Sequence, residues 1–484
     1  MQAQALRTAV HVAAVFALYL ALAMLVPAAV DLHAGNPDWR VFALSAVTVG
    51  GFSLTVAAAT RSRPPLQSTR FAFLVVVVLW ITLGLVSAVP FYAASLRLGV
   101  ADAVFESVSA ITTTGSTVIV GLDGLPPGLL VWRSLLQWIG GLGVIALGLF
   151  LLPFLRVGGF TYFRIESSDI DERPFERFST HILALIGIYV VLTTLCAFAY
   201  AAAGMSGFDA VNHAMTTIAT GGFSTHDASF GHFEGEAVLW VGTLFMLVAA
   251  LPFSILILLV VRGRLDALRD PQIRLFLAYA VGFALAVAVY RSATTGIGFE
   301  AALAGSVFNF VSIITTTGYA SEDYTAWGPF AVVAAFLATF LGGCSGSTAG
   351  GVKAYRFLIL GRLLGNGLAQ LVHPHAVHSV RYGDRVVDAE MQRAVVLFVA
   401  AFLLVWAAAT AALAAFGADL VTALTGALTA LTNVGPGLGP TIGPAGNFAP
   451  LDDASKWVLS ATMLFGRLEL LAVLVLLVPA FWRG

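Results

Sequence analysis

Four short runs of threonine and glycine recur along the chain, and their final glycines are 106, 97 and 117 residues apart. A cation that leaves water needs fixed oxygen ligands, and backbone carbonyls supply them where the chain departs from helical geometry. Each run follows a short apolar segment typical of a half-helix, whose carboxyl end carries partial negative charge. Four such ends around one axis predict a cation site. The runs are Thr112-Thr113-Thr114-Gly115, Ile218-Ala219-Thr220-Gly221, Thr315-Thr316-Thr317-Gly318 and Thr432-Asn433-Val434-Gly435.

The last three residues of each run are the predicted ion-binding filter. Helix packing through small residues explains a single run equally well, but four runs in register with the same hydropathy pattern disfavour it. An acidic residue near the start of each half-helix (Asp102, Asp209, Glu300 and Asp419) is interpreted as a helix cap. The predicted filter residues are Thr113, Thr114, Gly115, Ala219, Thr220, Gly221, Thr316, Thr317, Gly318, Asn433, Val434 and Gly435.

A glycine-rich stretch at residues 342–351 interrupts a long apolar segment. It contains five glycines, each of which disfavours helix by about 1 kcal/mol relative to alanine. A helix break with small polar side chains suits a loop that closes a pore, whereas close helix packing is the alternative. The sequence Gly343-Cys344-Ser345-Gly346 also matches an intramembrane protease pattern, but no histidine of a recognisable protease motif accompanies it. The predicted gate residues are Gly343, Ser345, Gly346, Ser347, Thr348, Gly350 and Lys353.

Arg467 and Glu469 lie deep in the last apolar segment. A charge at that depth is costly and should face a cavity or a partner. Residues two apart point to different helix faces, so these two are not expected to pair with each other. Either Arg467 lines the pore or it belongs to an ion pair between repeats, and Lys353 is either linked to the gate or directed toward the membrane surface.

His373, His375 and His378 stand close together in the longest inside loop. Metal binding is conceivable, but no cysteine or carboxylate completes the set. We expect a solvated loop.

The composition is that of an integral membrane protein. Of 484 residues, 59% are hydrophobic and 11% charged, and the mean hydropathy is +0.92. A net charge of −1 leaves no basic surface for nucleic acid. Ten segments are long enough to cross a bilayer, and four short ones fit half-helices at 102–114, 208–220, 300–317 and 419–434. The predicted spans are 8–30, 41–59, 71–94, 128–155, 181–203, 236–261, 272–290, 326–362, 394–416 and 457–481.

The basic residues predict the orientation of the chain. With the amino terminus inside, 19 of the 25 lysines and arginines fall in inside segments, so both termini are expected in the cytoplasm. The charged inside run 164–177 is interpreted as a solvated face or a docking surface. Outside segments hold 15 acidic and five basic residues, a surface that concentrates cations.

Taken together, these motifs resemble the TrkH/TrkG/KtrB superfamily of potassium transporters. The two extra amino-terminal spans favour the TrkH branch over KtrB. The resemblance covers residues 70–481. The similar stretches are 109–115, 219–225, 315–319, 433–437, 346–353 and 466–469. The expected fold is an all-α membrane protein with two amino-terminal helices and four pseudo-repeats of helix, half-helix, filter loop and helix around one pore. The predicted units are 1–69, 70–157, 158–264, 265–365 and 366–484.

The resemblance implies potassium uptake across the bacterial inner membrane, with potassium ions in the filter and no covalent cofactor. Rubidium and some sodium are expected to pass. Family members keep glycine at the position of Gly115 for potassium selectivity, and the family places an intramembrane gating loop and the arginine matching Arg467 below the filter. It also implies a homodimer and a TrkA-type cytoplasmic nucleotide-binding ring as partner. This chain has no phosphate-binding glycine loop, so nucleotide control is expected to come from another chain. No catalytic constellation is present, so enzyme activity is not expected. The alternative function is proton- or sodium-coupled cation transport.

Overall fold

The computed structural model describes residues 2–61, 69–155, 174–375 and 378–483. The predicted boundary at residues 157 and 158, and most of the charged run 164–177, lie outside the described residues. The regular structure of the described part is helical except for one short β-hairpin, which confirms the predicted fold class.

The amino-terminal region forms two crossings outside the repeated units. Helix α1 (Gln2–Ala23) continues into α2 (Leu25–His33), and α3 (Trp39–Thr60) returns and packs against α1. Together they cover the first helix of the repeated region.

The rest of the described chain repeats one order of elements four times: a long helix, a half-helix, a loop and a second helix. The first two units contain α4 (Thr69–Ala93), α5 (Val100–Ile111), α6 (Pro127–Leu155), α7 (Pro174–Ala202), α8 (Gly207–Ile218), α9 (Glu236–Ala249) and α10 (Phe253–Arg262). The third contains α11 (Pro271–Thr295), α12 (Phe299–Ile314), α13 (Pro329–Leu341) and α14 (Ala354–Val372). The fourth contains β1 (Arg381–Tyr382), β2 (Arg385–Val386), α15 (Ala389–Ala415), α16 (Leu420–Thr432), α17 (Gly439–Ile442), α18 (Asp453–Arg467), α19 (Leu471–Leu477) and α20 (Pro479–Arg483). Single 3-10 turns lie at Leu122–Gly124, Ser229–His232, Leu265–Arg269 and Tyr324–Trp327.

Two packing contacts recur in all four units and arrange them in a ring. Within each unit the long helix packs on its own half-helix. The second helix of each unit then packs on the half-helix of the next one, through the pairs α6–α8, α9–α12, α13–α16 and α18–α5. Because the fourth unit contacts the first, the ring is closed and the half-helices lie inside it, with most of their residues buried.

The four half-helices are where the sequence predicts them, and each ends two or three residues before the predicted end. The residues that leave the helix there are those of the threonine and glycine runs. Asp419 caps its half-helix through the backbone N–H groups of Val421 and Thr422, as expected. The other three acidic residues lie in the first turn instead of at the cap, where a negative charge still stabilises the helix.

The crossings differ from the prediction in their continuity. Seven described helical spans are long and apolar enough to cross a membrane, and two further helix pairs qualify if each bent pair counts as one span. The predicted break in the eighth span is confirmed between Leu341 and Ala354. The prediction of continuous sixth and tenth spans was wrong, because α9 and α10 meet at 99° and α18 and α19 at 115°. Pro252 explains the first bend, since proline removes a helical hydrogen bond and clashes with the preceding turn.

Candidate functional site

All four half-helices end in the same backbone conformation. The residue at the second position of each loop has a positive φ of 50–57° although none of the four is glycine. This region is uncommon for threonine, and such strain costs on the order of 1–3 kcal/mol per residue. It persists only where the surroundings enforce it, which marks these loops as built features. The residues are Thr113, Thr220, Thr316 and Asn433.

A second positive φ follows two residues later and corrects the predicted register of the second loop. It falls on Gly115, Gly222, Gly318 and Gly435. The second run is therefore Ala219-Thr220-Gly221-Gly222, and its first residue is not Ile218, which ends α8. Gly222 was missing from the predicted filter because two adjacent glycines leave the register open in the sequence.

The four glycines lie against one another's loops in a closed ring. A side chain on any of them would overlap the backbone carbonyl of the third residue in the next loop. The pairs are Gly115 with Gly221, Gly222 with Thr317, Gly318 with Val434, and Gly435 with Thr114. The twelve predicted filter residues are thus brought together, and glycine is required by close approach as well as by its φ.

The carbonyl oxygens at the strained second position have no hydrogen-bond partner. Those of Thr113, Thr220, Thr316 and Asn433 accept nothing from the residues that the structure describes. All four residues are buried, at 0–1% exposure. Buried carbonyl groups are nearly always paired, so four unpaired ones at equivalent positions call for another ligand. A dehydrated cation is the ligand that a set of carbonyl dipoles suits.

The fourth loop keeps this backbone despite its different side chains. Asn433 adopts the conformation of the three threonines, which asparagine tolerates well. Its side-chain amide donates to Thr114 Oγ1 at 2.9 Å and to the carbonyl of Met463 at 3.0 Å. The departure from the threonine pattern therefore changes the side chains behind the loop and leaves its backbone in the ring.

Side chains that sequence reasoning missed hold the loops from behind. Glu106 is buried and pairs with Arg133 at 2.8 Å, while it accepts hydrogen bonds from Thr117 and the backbone of Val118. Arg133 reaches on to the carbonyl of Ser224 at 2.9 Å and so joins the first two units. The charge of Glu106 inside an otherwise apolar half-helix was the feature of the sequence that could have indicated this pair.

Gln137 has a similar position beside the second loop. Its amide donates to the carbonyl of Gly221 at 2.6 Å and accepts from the N–H of Phe223 at 3.1 Å. The second loop has glycine where the first and third have threonine, and Gln137 supplies a fixed contact there.

One mouth of the ring opens into a small vestibule. Its lining includes the four ring glycines together with side chains from the loops that follow them, among them His226 and Asp227. The cavity measures about 80 Å³, which is room for several water molecules. The half-helix amino termini are on this side.

The predicted gate residues lie on the opposite side of the ring. The stretch between α13 and α14 is a mostly buried loop that is hydrogen-bonded to three units. Its contacts are Cys344 N to Ala250 O at 3.0 Å, Ser345 N to Gln272 Oε1 at 3.0 Å, Phe253 N to Gly346 O at 2.9 Å, Gly350 N to Thr316 Oγ1 at 2.7 Å and Gly351 N to Thr432 O at 2.9 Å. Gly343 and Ser347 bond within the same segment, to Ala354 N at 3.0 Å and Cys344 O at 2.6 Å.

Arg467 contacts this loop directly. Its guanidinium donates to the carbonyl of Thr348 at 2.9 Å, while two of its nitrogens have no hydrogen-bond partner among the described residues. As expected, Arg467 and Glu469 do not pair with each other. Glu469 instead binds Arg356 and Lys353, and Lys353 Nζ is 3.6 Å away with a side chain only 13% exposed. Glu469 is therefore the tie between units, and Lys353 is turned inward.

The histidines considered in the sequence analysis divide into two groups. His373, His375 and His378 are exposed, as a solvated loop predicts. His213 is buried with its ring 3.0 Å from Ser224 Oγ, and His11 contacts the carbonyl of Ala57. Neither approaches Ser345 through a hydrogen bond, so the protease interpretation has no base.

Comparison with known proteins gives a consistent match. The TrkH family, described as cation transport proteins, matches residues 55–483. The Trk system potassium uptake protein TrkI of Halomonas elongata is 46% identical over 479 residues, which is 98% of this chain and 96% of that protein. TrkH of Escherichia coli K12, a protein with the same description, is 38% identical over 86% of each chain.

A solved structure agrees over the full length. The crystal structure of the potassium transporter TrkH from Vibrio parahaemolyticus superposes with a TM-score of 0.92 at 35% identity, covering all of both chains.

Proposed function

Because the chain belongs to the TrkH family of cation transport proteins, we propose that it takes up potassium through a pore lined by the four loops. The observation that carries this proposal is the set of four buried, unpaired carbonyl oxygens at the second loop position. They supply oxygen ligands in place of the water that the ion loses. The loops belong to a transporter family whose named relatives are potassium uptake proteins.

Selectivity for potassium is assigned to the closely packed ring. Since each ring glycine touches the next loop, the spacing of the carbonyls depends on all four loops together. We expect rubidium to pass like potassium and sodium to pass poorly.

The loop at residues 342–353 is proposed as the gate, with Arg467 as its lock. Its hydrogen bonds to the third and fourth filter loops support a position directly beneath the ring. A guanidinium fixed there hinders cations, and its bond to Thr348 couples its place to that of the loop.

Coupled transport is the second candidate, and the structure offers more buried acidic groups than the sequence indicated. In addition to Glu469, the carboxylates of Glu106 and Asp31 are buried at 0% exposure. Glu106 is occupied by Arg133, and Oδ1 of Asp31 accepts the N–H of Gly128 at 2.7 Å, while its Oδ2 has no hydrogen-bond partner among the described residues. Both have structural partners, which favours the uncoupled pore.

We also propose a homodimer in the bacterial inner membrane with a TrkA-type ring partner on the cytoplasmic side. Helix α14 supports a protein contact, since Leu364, Leu368, Leu371 and Val372 are each at least 56% exposed at helical spacing. Both termini and the β-hairpin are assigned to the cytoplasm, with lipid around the ring.

Rubidium uptake into proteoliposomes of the purified full chain tests the function. Uptake that potassium blocks, sodium spares and an imposed proton or sodium gradient leaves unchanged is the expected result. A requirement for either gradient would favour coupled transport instead. If the wild type takes up no rubidium, the same assay is run on the variant lacking residues 345–349. No uptake by that folded variant would contradict a pore.

The same deletion tests the gate. Removing residues 345–349 deletes the carbonyl that Arg467 binds and is expected to raise basal uptake. Unaltered or lower uptake in folded protein would remove the gate assignment and leave the filter untouched.

A further inference from the structure

Three metal-binding side chains meet above the ring, outside both the filter and the gate. Asp123 comes from the 3-10 turn of the first unit, and His226 and His232 come from the loop of the second. One ligand atom from each lies within 4.8 Å of the other two. His226 Nδ1 is in hydrogen-bond contact with Asp123 Oδ1, and His232 Nδ1 is 3.9 Å from the same oxygen.

Neighbouring side chains hold these three residues close together. The two imidazole rings are stacked with centroids 3.5 Å apart and planes at 4°. Phe233 packs edge-on against both rings, at 5.4 and 5.3 Å. Asp209 Oδ1 lies 3.3 Å from the other nitrogen of His226, where it can orient that ring.

The ligand set has the composition of a transition-metal site. Two imidazoles and one carboxylate suit Zn²⁺ and its neighbours, whereas Mg²⁺, Ca²⁺ and K⁺ prefer oxygen ligands. Ligands about 2.1 Å from a tetrahedral ion are roughly 3.4 Å apart. The Asp123–His226 and Asp123–His232 separations, 2.5 and 3.9 Å, lie on either side of that value.

We propose that Asp123, His226 and His232 bind a transition-metal ion of the Zn²⁺ class at the vestibule mouth. The half-exposed side chains of Asp123 and His232 leave a fourth position open to water. The site is therefore accessible from the solution that faces the vestibule.

The position of the site gives the bound ion a consequence for transport. His226 lines the vestibule whose lining includes Gly115 and the other ring glycines. A divalent cation there offsets the charge of nearby carboxylates and lowers the local concentration of monovalent cations. Slower potassium entry is the expected effect, and this step alone rests on the proposed function.

Direct binding tests the site without reference to transport. Calorimetric titration of Zn²⁺ uses the purified full chain with its affinity tag removed and His373, His375 and His378 replaced by alanine. Both native cysteines are buried and do not compete. We expect one ion per chain, an affinity at least tenfold weaker in His232→Ala, and no change in His33→Ala, an exposed histidine on the same face. No binding, or equal affinity in the two variants, overturns the site.

Rubidium uptake with external Zn²⁺ tests the consequence in the same proteins. Zn²⁺ should slow uptake in the background protein and in His33→Ala but not in His232→Ala. Mg²⁺ added in place of Zn²⁺ should leave uptake unchanged. Binding that leaves uptake unchanged overturns the effect on transport. Metal binding in a protein that transports nothing under any condition contradicts the proposed function and leaves the metal site standing.

Discussion

At the scale of single residues, the site depends on backbone positions where side chains are excluded or strained. The second position of each loop carries a β-branched residue or asparagine at positive φ, and the fourth carries a glycine in contact with the neighbouring loop. The strain at one loop is maintained by the next, because the ring glycines leave no space for relaxation. A change at one ring position is therefore expected to act on two loops.

Gly115→Ser tests this coupling. Its φ is +85° and an added Cβ overlaps the Gly221 carbonyl, so that oxygen must shift and potassium selectivity should fall. Gly121→Ser is the matched control, because φ there is +80° but nothing lies within 4 Å of the added atom. Sodium competition against rubidium uptake measures the effect. Equal selectivity in the two variants would contradict the assignment of the ring.

Glu106→Gln tests the support behind the filter. It leaves the guanidinium of Arg133, 1% exposed, without its anion. Breaking a buried pair by removing one partner costs about 3–5 kcal/mol, so the melting temperature in detergent should drop by several degrees. Adding Arg133→Met should recover part of the loss, while exposed Glu234→Gln should change nothing. A Glu106→Gln protein as stable as wild type would refute the role.

At the scale of elements, the second helices of three units are broken where they meet. Residues 250–252, 342–353 and 468–470 interrupt these crossings, and the contacts between the breaks replace the lost helical hydrogen bonds. Irregular backbone at membrane depth is tolerated only when it is buried in protein or lines a cavity. The glycine loop at 342–353 is the longest of the three breaks, and hydrogen bonds to neighbouring units hold it in place.

Arg467→Met tests the link from α18 to that loop. A charge-assisted hydrogen bond contributes about 1.5–3 kcal/mol, and its loss from the closed state should raise basal rubidium uptake roughly tenfold. Arg362→Met, an exposed arginine of α14, is the control. Uptake at or below the wild-type rate in folded protein would count against the lock.

At the scale of the whole molecule, the closed ring gives the two faces different roles. The face with the half-helix amino termini carries the vestibule and its carboxylates, and the opposite face carries the β-hairpin and the inner ends of the broken helices. The distribution of arginine and lysine predicts that the vestibule faces outward.

Single cysteines test this orientation, because native Cys196 and Cys344 are buried. Glu234→Cys on the vestibule side should react with a membrane-impermeant maleimide in intact cells, and His378→Cys in the inner loop only after lysis. Both positions are exposed, so access alone separates them. The reverse labelling pattern would invert the topology and with it the direction of the proposed uptake.

The sequence by itself determined the elements that local chemistry controls. Apolar length predicts the crossings and the half-helices, glycine density predicts the break at 342–353, and the recurrence of threonine and glycine predicts the four loops proposed as the filter. Proline at 252 carried a further local signal of a bend, which the length of its apolar segment obscured.

Only the tertiary structure decided how those parts contact one another. Three of these contacts join residues from separate elements. They are the pairing of Glu469 with Lys353 and Arg356, the Glu106–Arg133 pair, and the cluster of Asp123 with His226 and His232. The register of the second loop, with Gly222 in the ring, also became visible only in the structure. Closure of the ring brings together residues that are more than 100 positions apart. Periodicity along the sequence does not predict contacts between residues so far apart. The physical reason is that hydropathy and backbone preference act over a few neighbouring residues, whereas charge pairing and close packing depend on where separate helices end.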